Sequence, residues 1–329
     1  MKIKRFILFF AYVAFPFINA AQSWSYLSNG DLIAIVAPSC APSEDEVKRA
    51  ADLLGGIFEV VVPTDMVRGD QPFNRSNTIE YRRDHLLQEL HSDAKLIWAI
   101  QGGHGASQLF LKSTSMFEEF RGIKPKLLIG HGDFTAIHLW ANSIGWPSLY
   151  GVTLDSLSTE AYRLHSQILL GEVQELQYDL LPSNEFAYTA TLDSSILGGD
   201  LSPIRLSLGQ SRSPNTSGRI LFIEDTGNFI SKPCKDGCLG NYSELFDALE
   251  HIEEAGLLDS PKAIIWGNFK TEDNVEIAEI KRLFIENMNK RKIPVFSSDK
   301  FGHGMFMFPL PFNTLAKIEG CRLTVKTNQ

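Results

Sequence analysis

Cysteine is scarce in this chain, four among 329 residues. The closest pair, Cys234 and Cys238, has no further ligands at matching spacing nearby, which excludes a zinc site there. No run of basic residues offsets the formal net charge of -8, which argues against a nucleic-acid partner. Beyond the first 21 residues no segment has the roughly 20 apolar positions that a membrane-spanning helix needs. Internal repeats and low-complexity tracts are also missing. Repeat architectures and disordered arrays are thereby set aside.

What remains is a globular composition, 44% hydrophobic and 21% charged, in a chain long enough for two domains with cores of their own. Lys2, Lys4 and Arg5 precede an apolar run from Phe6 to Ile18 and the small residues Ala20 and Ala21. That layout predicts a secretory signal peptide over 1–21 and an exported, periplasmic or secreted protein, with an uncleaved anchor as the alternative. Cys234 and Cys238 stand in a loop and form either a small disulfide or two free thiols. Cys40 and Cys321 read as buried and unpaired.

Apolar runs at Leu32–Ala37, Ile57–Val62, Leu96–Ile100 and Leu127–Ile129 predict buried strands. Helical patterns from Ser43 to Leu54 and from Thr78 to Leu90 alternate with them. Ser43-Glu-Asp-Glu46 reads as a capping box. Strands alternating with helices imply a parallel sheet with right-handed crossovers. After Leu170 the pattern shifts to short apolar runs at 195–197, 220–223, 263–266, 294–296 and 323–325, with one clear helix from Ser243 to Ala255. The expected fold is α/β: a Rossmann-like parallel-sheet domain over 22–165, a linker over 166–190, and a smaller strand-rich α+β domain over 191–329.

Two glycine turns follow predicted strands. Gly102-Gly103-His104-Gly105 could present backbone N–H groups to an anion or oxyanion, or be a tight turn without a ligand. It is not a dinucleotide fingerprint, because Gln108 stands at the third spaced position. Gly130-His131-Gly132-Asp133-Phe134-Thr135 is a strand-to-helix turn of the kind that exposes a nucleophile, yet Gly132 occupies the position for a hydroxyl or thiol. Glu224 and Asp225 end the apolar run 219–223, and His303 sits between Gly302 and Gly304. His138 reads as a packed core residue; His85, His91, His165 and His251 read as helix-surface residues.

Blocks in sequence order carry a resemblance. They are Ile33-Ala-Ile-Val-Ala-Pro-Ser39, Ala99-Ile-Gln-Gly-Gly-His-Gly105, Ile129 through His138, Leu197-Gly-Gly-Asp-Leu-Ser202, Ile220-Leu-Phe-Ile-Glu-Asp225, Ala255 through Asp259, Ile264 through Phe269, and Phe301-Gly-His303 through Pro311. Together they resemble the LD-carboxypeptidases, serine peptidases that trim murein tetrapeptides, and their microcin-immunity branch. The resemblance implies a Ser-His-Glu triad at a domain interface, with His303 as general base and Glu224 orienting it. It implies an oxyanion hole from the N–H groups of Gly103 and Asp133, with Gly102, His104, His131 and Asp200 near the substrate. It further implies cleavage of the L-to-D amide bond before terminal D-alanine, no metal or cofactor, a murein peptide or related small peptide as partner, and a homodimer.

The departures from the family pattern are as specific as the matches. The family's serine aligns with Gly132, and its arginines around the glycine pair align with Gln101 and Gln108. The cysteine-containing loop replaces an acidic, tyrosine-bearing one. Gly130 and Asp133 fix the register around Gly132, and Thr135 and Ser143 should point away from an attacking position. Three outcomes stay open at this point. Hydrolysis could proceed through a water activated by His303, or through His131, or the protein could be a non-catalytic peptide-binding or regulatory relative on the same scaffold. A plain solute-binding protein would not account for the Phe301-Gly302-His303 turn.

Overall fold

Parallel strands with both faces covered read as continuous apolar runs, and the first half of the chain is built from them. The computed structural model describes residues 23–63, 65–67, 71–111, 114–226, 243–269, 275–304 and 307–328. The expected leader and the Cys234/Cys238 pair lie outside the described residues. In chain order the first half runs Leu32–Val36 (β1), Glu44–Leu54 (α1), Glu59–Val61 (β2), Ile79–His91 (α2), Leu96–Ala99 (β3), Thr114–Glu118 (α3), Leu127–Gly130 (β4), Thr135–Ser143 (α4), Ser148–Tyr150 (β5) and Thr159–Leu169 (α5). The capping box forms as expected: the Ser43 Oγ accepts from the Glu46 N–H at 3.3 Å, and Glu46 Oε2 accepts from the Ser43 N–H at 2.7 Å.

The second half contributes Glu175–Asp179 (β6), Leu181–Pro182 (β7), Glu185–Tyr188 (α6), Thr191–Ser194 (β8), Ile196–Asp200 (β9), Leu201–Ser207 (α7), Ile220–Asp225 (β10), Ser243–Glu254 (α8), Ala263–Phe269 (β11), Val275–Arg291 (α9), Val295–Gly302 (β12), Leu310–Phe312 (β13), Ala316–Glu319 (β14) and Arg322–Lys326 (β15). The mixed α/β class, with a parallel sheet first and a strand-rich region after it, is as expected.

The first sheet has the order β13-β5-β4-β3-β1-β2, parallel except for β13, which pairs antiparallel with β5. Its parallel strands therefore follow the doubly wound order 2-1-3-4-5, whose direction of travel reverses between β1 and β3. A crevice opens beyond the carboxyl ends of the strands at such a point. The second sheet runs β7-β12-β11-β10-β9, parallel except at β7. A four-stranded antiparallel sheet, β6-β15-β14-β8, completes the molecule.

Two stretches differ from the sequence expectation. Residues 166–190, expected as a linker, hold the end of α5 together with β6, β7 and α6. In Glu175-Leu-Gln-Tyr-Asp179, Leu176 and Tyr178 alternate with exposed polar residues, the pattern of a half-buried antiparallel strand rather than of a connector. Helix α9, 17 residues long, was not expected; Ile277, Ile280, Phe284 and Met288 recur at helical spacing and all face the core.

One hydrophobic cluster runs through both halves, joining Ile129 and Tyr150 to Phe222, Phe301 and Phe312. The halves are also tied by β13, which carries the chain from the second half back into the first sheet. No helix among the described residues is long and apolar enough to cross a membrane.

Candidate active site

The carboxyl ends of β1, β3 and β4 and those of β9, β10 and β12 converge on one region. Beyond β1 the chain turns at Ser39 and Cys40. Beyond β3 it turns through Gly102 and Gly103, and the Cys40 N–H donates to the Gly102 carbonyl at 3.2 Å across the crevice. Beyond β4 comes His131, then a single 3-10 turn over Gly132–Phe134 that leads into α4. From the other half, β9 ends in Asp200, β10 carries Glu224 directly opposite it in register, and β12 delivers His303.

Glu224 and His303 form a tight pair. Nδ1 of His303 lies 2.5 Å from Glu224 Oε2, and the His303 backbone N–H donates to the same oxygen at 3.2 Å. A carboxylate can only accept, so in the neutral ring Nδ1 carries the proton and Nε2 keeps its lone pair. Nε2 faces Gly132. A Cβ built on that residue would stand 3.1 Å from Nε2 and 3.3 Å from Cε1. The Gly132 φ of +58° lies in the left-handed region, which few non-glycine residues adopt. A side chain at position 132 would therefore meet the imidazole after a shift of a few tenths of an ångström.

Tyr150, at the end of β5, joins the two sides. Its hydroxyl donates to Glu224 Oε1 in a short contact and accepts from the Gly132 N–H at 3.1 Å. Burial, then the neighbouring Glu224 and Asp200, push the phenol well above its ordinary range, so it stays a donor. Sequence reading missed Tyr150, because a tyrosine in an apolar strand reads as core. Its place at the carboxyl end of a parallel strand is the signal that could have found it.

The other expected site residues separate into groups. Asp133 is buried; its Oδ2 accepts from the Ser39 hydroxyl at 2.6 Å and from the Ala106 N–H at 2.7 Å, which fixes the three turns to one another. Burial raises its carboxyl above the usual range. Asp200 is buried too. It caps α7 through the Ser202 N–H at 2.8 Å, and its own N–H donates to Thr135 Oγ1 at 2.9 Å. Thr135 is thus engaged in holding the two halves together. Burial and the nearby Glu224 and Asp225 drive Asp200 towards its neutral form.

His131 packs its ring 5.1 Å from that of His303. Burial first, then His303, lower it to about 3, so the imidazole is neutral at ordinary pH. Gly103, His104, Asp133 and Asp200 line a small cavity of about 150 Å³ on one side of the turn. His131 and His303 line a larger one of about 770 Å³ on the other. Gly102 lines neither and serves the turn through its carbonyl. Asp200, Glu224 and His303 have ligand atoms within 4.8 Å of one another. The Glu224 and His303 atoms are hydrogen-bonded to each other.

Two histidines sit inside the fold. His138 is a core residue as expected, its ring nitrogens 2.8 Å from Ser148 Oγ and 3.0 Å from the Gly130 carbonyl. His165, expected on a helix surface, is fully buried on the inner face of α5, stacked on Trp98 at 5.4 Å. Of the other cysteines, Cys40 is buried and Cys321, expected buried, is part-exposed; both are free.

A hydrogen-bonded carboxylate–imidazole pair, aimed from one lobe at a sharp strand-to-helix turn of the other, defines a hydrolase scaffold of the acyl-transfer kind. The chain belongs to the LD-carboxypeptidase family: the family's N-terminal domain matches residues 33–151 and its C-terminal domain residues 193–318. It is 29% identical over 323 residues, 95% of this chain and 93% of the relative, to a protein of Rickettsia conorii assigned as a carboxypeptidase. Among solved structures, an MccF-like protein from Bacillus anthracis superposes with a TM-score of 0.75 at 18% identity, covering 92% of this chain and 98% of that one. A muramoyltetrapeptide carboxypeptidase from Oxalobacter formigenes gives 0.69 at 20% identity, covering 89% and 97%. At such identities the structural likeness speaks for the fold.

Proposed function

We propose that this chain binds a murein tetrapeptide or a related short acyl-peptide between its lobes, and that the covalent serine route of its family is closed to it. The observation that carries this reading is the direction of His303: its Nε2 faces residue 132 at contact range, and residue 132 is a glycine. In this reading His303 is the general base and Glu224 its orienting carboxylate, and the atom they would activate is missing. In the serine-protease template, loss of a triad member leaves roughly 10³–10⁴ over the uncatalysed rate, supplied by binding and the oxyanion hole. For an amide bond that is far below useful turnover.

Backbone N–H groups of Gly103 and Asp133, both on the wall of the small cavity, suit a carbonyl oxygen in this reading. The leader-like residues 1–21 support an exported protein, which would meet murein fragments outside the cytoplasm. A second reading has one observation in its favour: the Glu224–His303 pair is intact and could activate a water directly.

Calorimetric titration with murein tetrapeptide, followed by mass spectrometry of the same mixture after long incubation, separates these readings. The proposal expects saturable binding and unchanged peptide. Stoichiometric release of D-alanine that disappears in His303→Ala would establish the water route instead, and absence of binding would remove both.

A further inference from the structure

The two arginines that the family places around its glycine pair are glutamines here, Gln101 and Gln108, yet the small cavity beside Gly132 is not short of positive charge. Arg75 and Arg82 reach it from another part of the chain. Both guanidinium groups donate to the Gln108 Oε1, each at 3.1 Å. They pass so close over Gly105 that a Cβ there would stand 2.1 Å from Arg75 Nη1 and 2.9 Å from Arg82 Nη1.

The two have different duties. Arg82 is buried and saturated: Nε donates to the Asn77 carbonyl, and Nη1 to the carbonyls of Pro38 and Gly105, at 3.1, 2.5 and 3.1 Å. Arg75 makes only the Gln108 bond among the described residues, and it lines the cavity, which Arg82 does not. Its backbone is held by a bridge to Cys40, with Ser76 N–H to Ser39 carbonyl at 3.1 Å and Ala41 N–H to Asn74 carbonyl at 2.8 Å. The guanidinium is thereby anchored to the turn whose Ser39 also holds Asp133.

A second observation points to a ligand. Ser107 lines the same cavity and is 8% exposed, and its hydroxyl has no partner among the described residues. A buried hydroxyl without a partner costs free energy unless something supplies one. The volume, about 150 Å³, is of the order that admits one benzene-sized group.

We propose that this cavity is a carboxylate subsite, in which Arg75 and Ser107 receive the terminal carboxylate of a peptide whose last residue is small, while the rest of the peptide extends into the larger cavity past His303. The inference rests on the peptide-binding reading above and adds to it the end of the peptide that is recognised and the residues that recognise it. A guanidinium matches a carboxylate in two parallel hydrogen bonds, which a neutral carboxamide cannot reproduce. The two aspartates on the cavity wall do not defeat this. Asp133 is engaged by Ser39 and Ala106, and burial with Glu224 nearby holds Asp200 towards its neutral form.

The test is calorimetric titration of the full chain with murein tetrapeptide and with the same peptide as its C-terminal carboxamide. The expected result is at least tenfold weaker binding of the amide to the wild type. Arg75→Gln should weaken the acid to the level of the amide while leaving the amide unchanged, and Ser107→Ala should reduce the preference in part. Equal binding of acid and amide by the wild type would overturn the subsite without any variant, as would an undiminished preference in a folded Arg75→Gln protein. If neither peptide binds, the peptide-binding reading itself fails.

Discussion

At the residue scale the proposed chemistry rests on four side chains and one missing side chain. Glu224 and His303 were legible in the sequence because each ends or follows an apolar run in a block with a recognisable neighbourhood. Gly132 was legible because Gly130 and Asp133 fix its register. Tyr150 and Arg75 were not, since a strand-end tyrosine looks like core and a lone arginine in a loop looks like surface. Only the folded chain brings Tyr150 to Glu224, 74 residues away. Tyr150→Phe removes one bond to a buried carboxylate and leaves the Gly132 N–H without its acceptor, two groups that burial makes expensive to strand. Denaturant unfolding of this variant should show a loss of about 1–3 kcal/mol, and a loss indistinguishable from zero would mean that the hydroxyl does not bridge the lobes.

At the scale of elements, the parallel strands were read well because burial on both faces leaves a continuous apolar signature. The expected strand runs ending at Ile129, Ile223 and Trp266 correspond to β4, β10 and β11, each extended by one to three residues. What failed was period. Leu176 and Tyr178 alternate over too few positions to announce β6, and α9 went unread, its charged positions outnumbering its buried ones. Helix α1 is the opposite case, written out locally by Ser43 and Glu46. Ser43→Ala should destabilise the protein by about 1 kcal/mol, the usual worth of an N-cap, measured as a shift in the urea midpoint at constant slope. Glu46→Gln, which can keep the return bond to the Ser43 N–H, should cost less.

The whole molecule is two lobes sharing one aromatic seam, with strand ends meeting head on. Its response to acid follows from what the seam encloses. His138 and His165 are both buried, and burial lowers each to about 4. An unfolded histidine takes up its proton near pH 6.5, so between pH 6.5 and 4 the unfolded chain holds more protons than the native one at these positions. Stability from each is lost as pH falls through that window, at about 1.4 kcal/mol per pH unit. Asp133 and Asp200, whose carboxyls are raised, act in the opposite direction. The contribution of one histidine is therefore read by difference. The slope of unfolding free energy against pH between 6.5 and 5 should fall by close to one proton in His165→Gln, and an unchanged slope would mean that the native ring is charged or exposed.

The central claim is that a peptide-cleaving scaffold keeps its base, His303 held by Glu224, facing a turn from which the nucleophile is gone. Release of D-alanine from murein tetrapeptide, compared between the wild type and Gly132→Ser, tests it most directly. The serine variant should turn over at least about 10³-fold faster than the wild type, below the roughly 10⁴–10⁶ lost when a triad member is removed, and should lose that gain on a further His303→Ala change. A wild type that releases D-alanine as fast as Gly132→Ser would contradict the account.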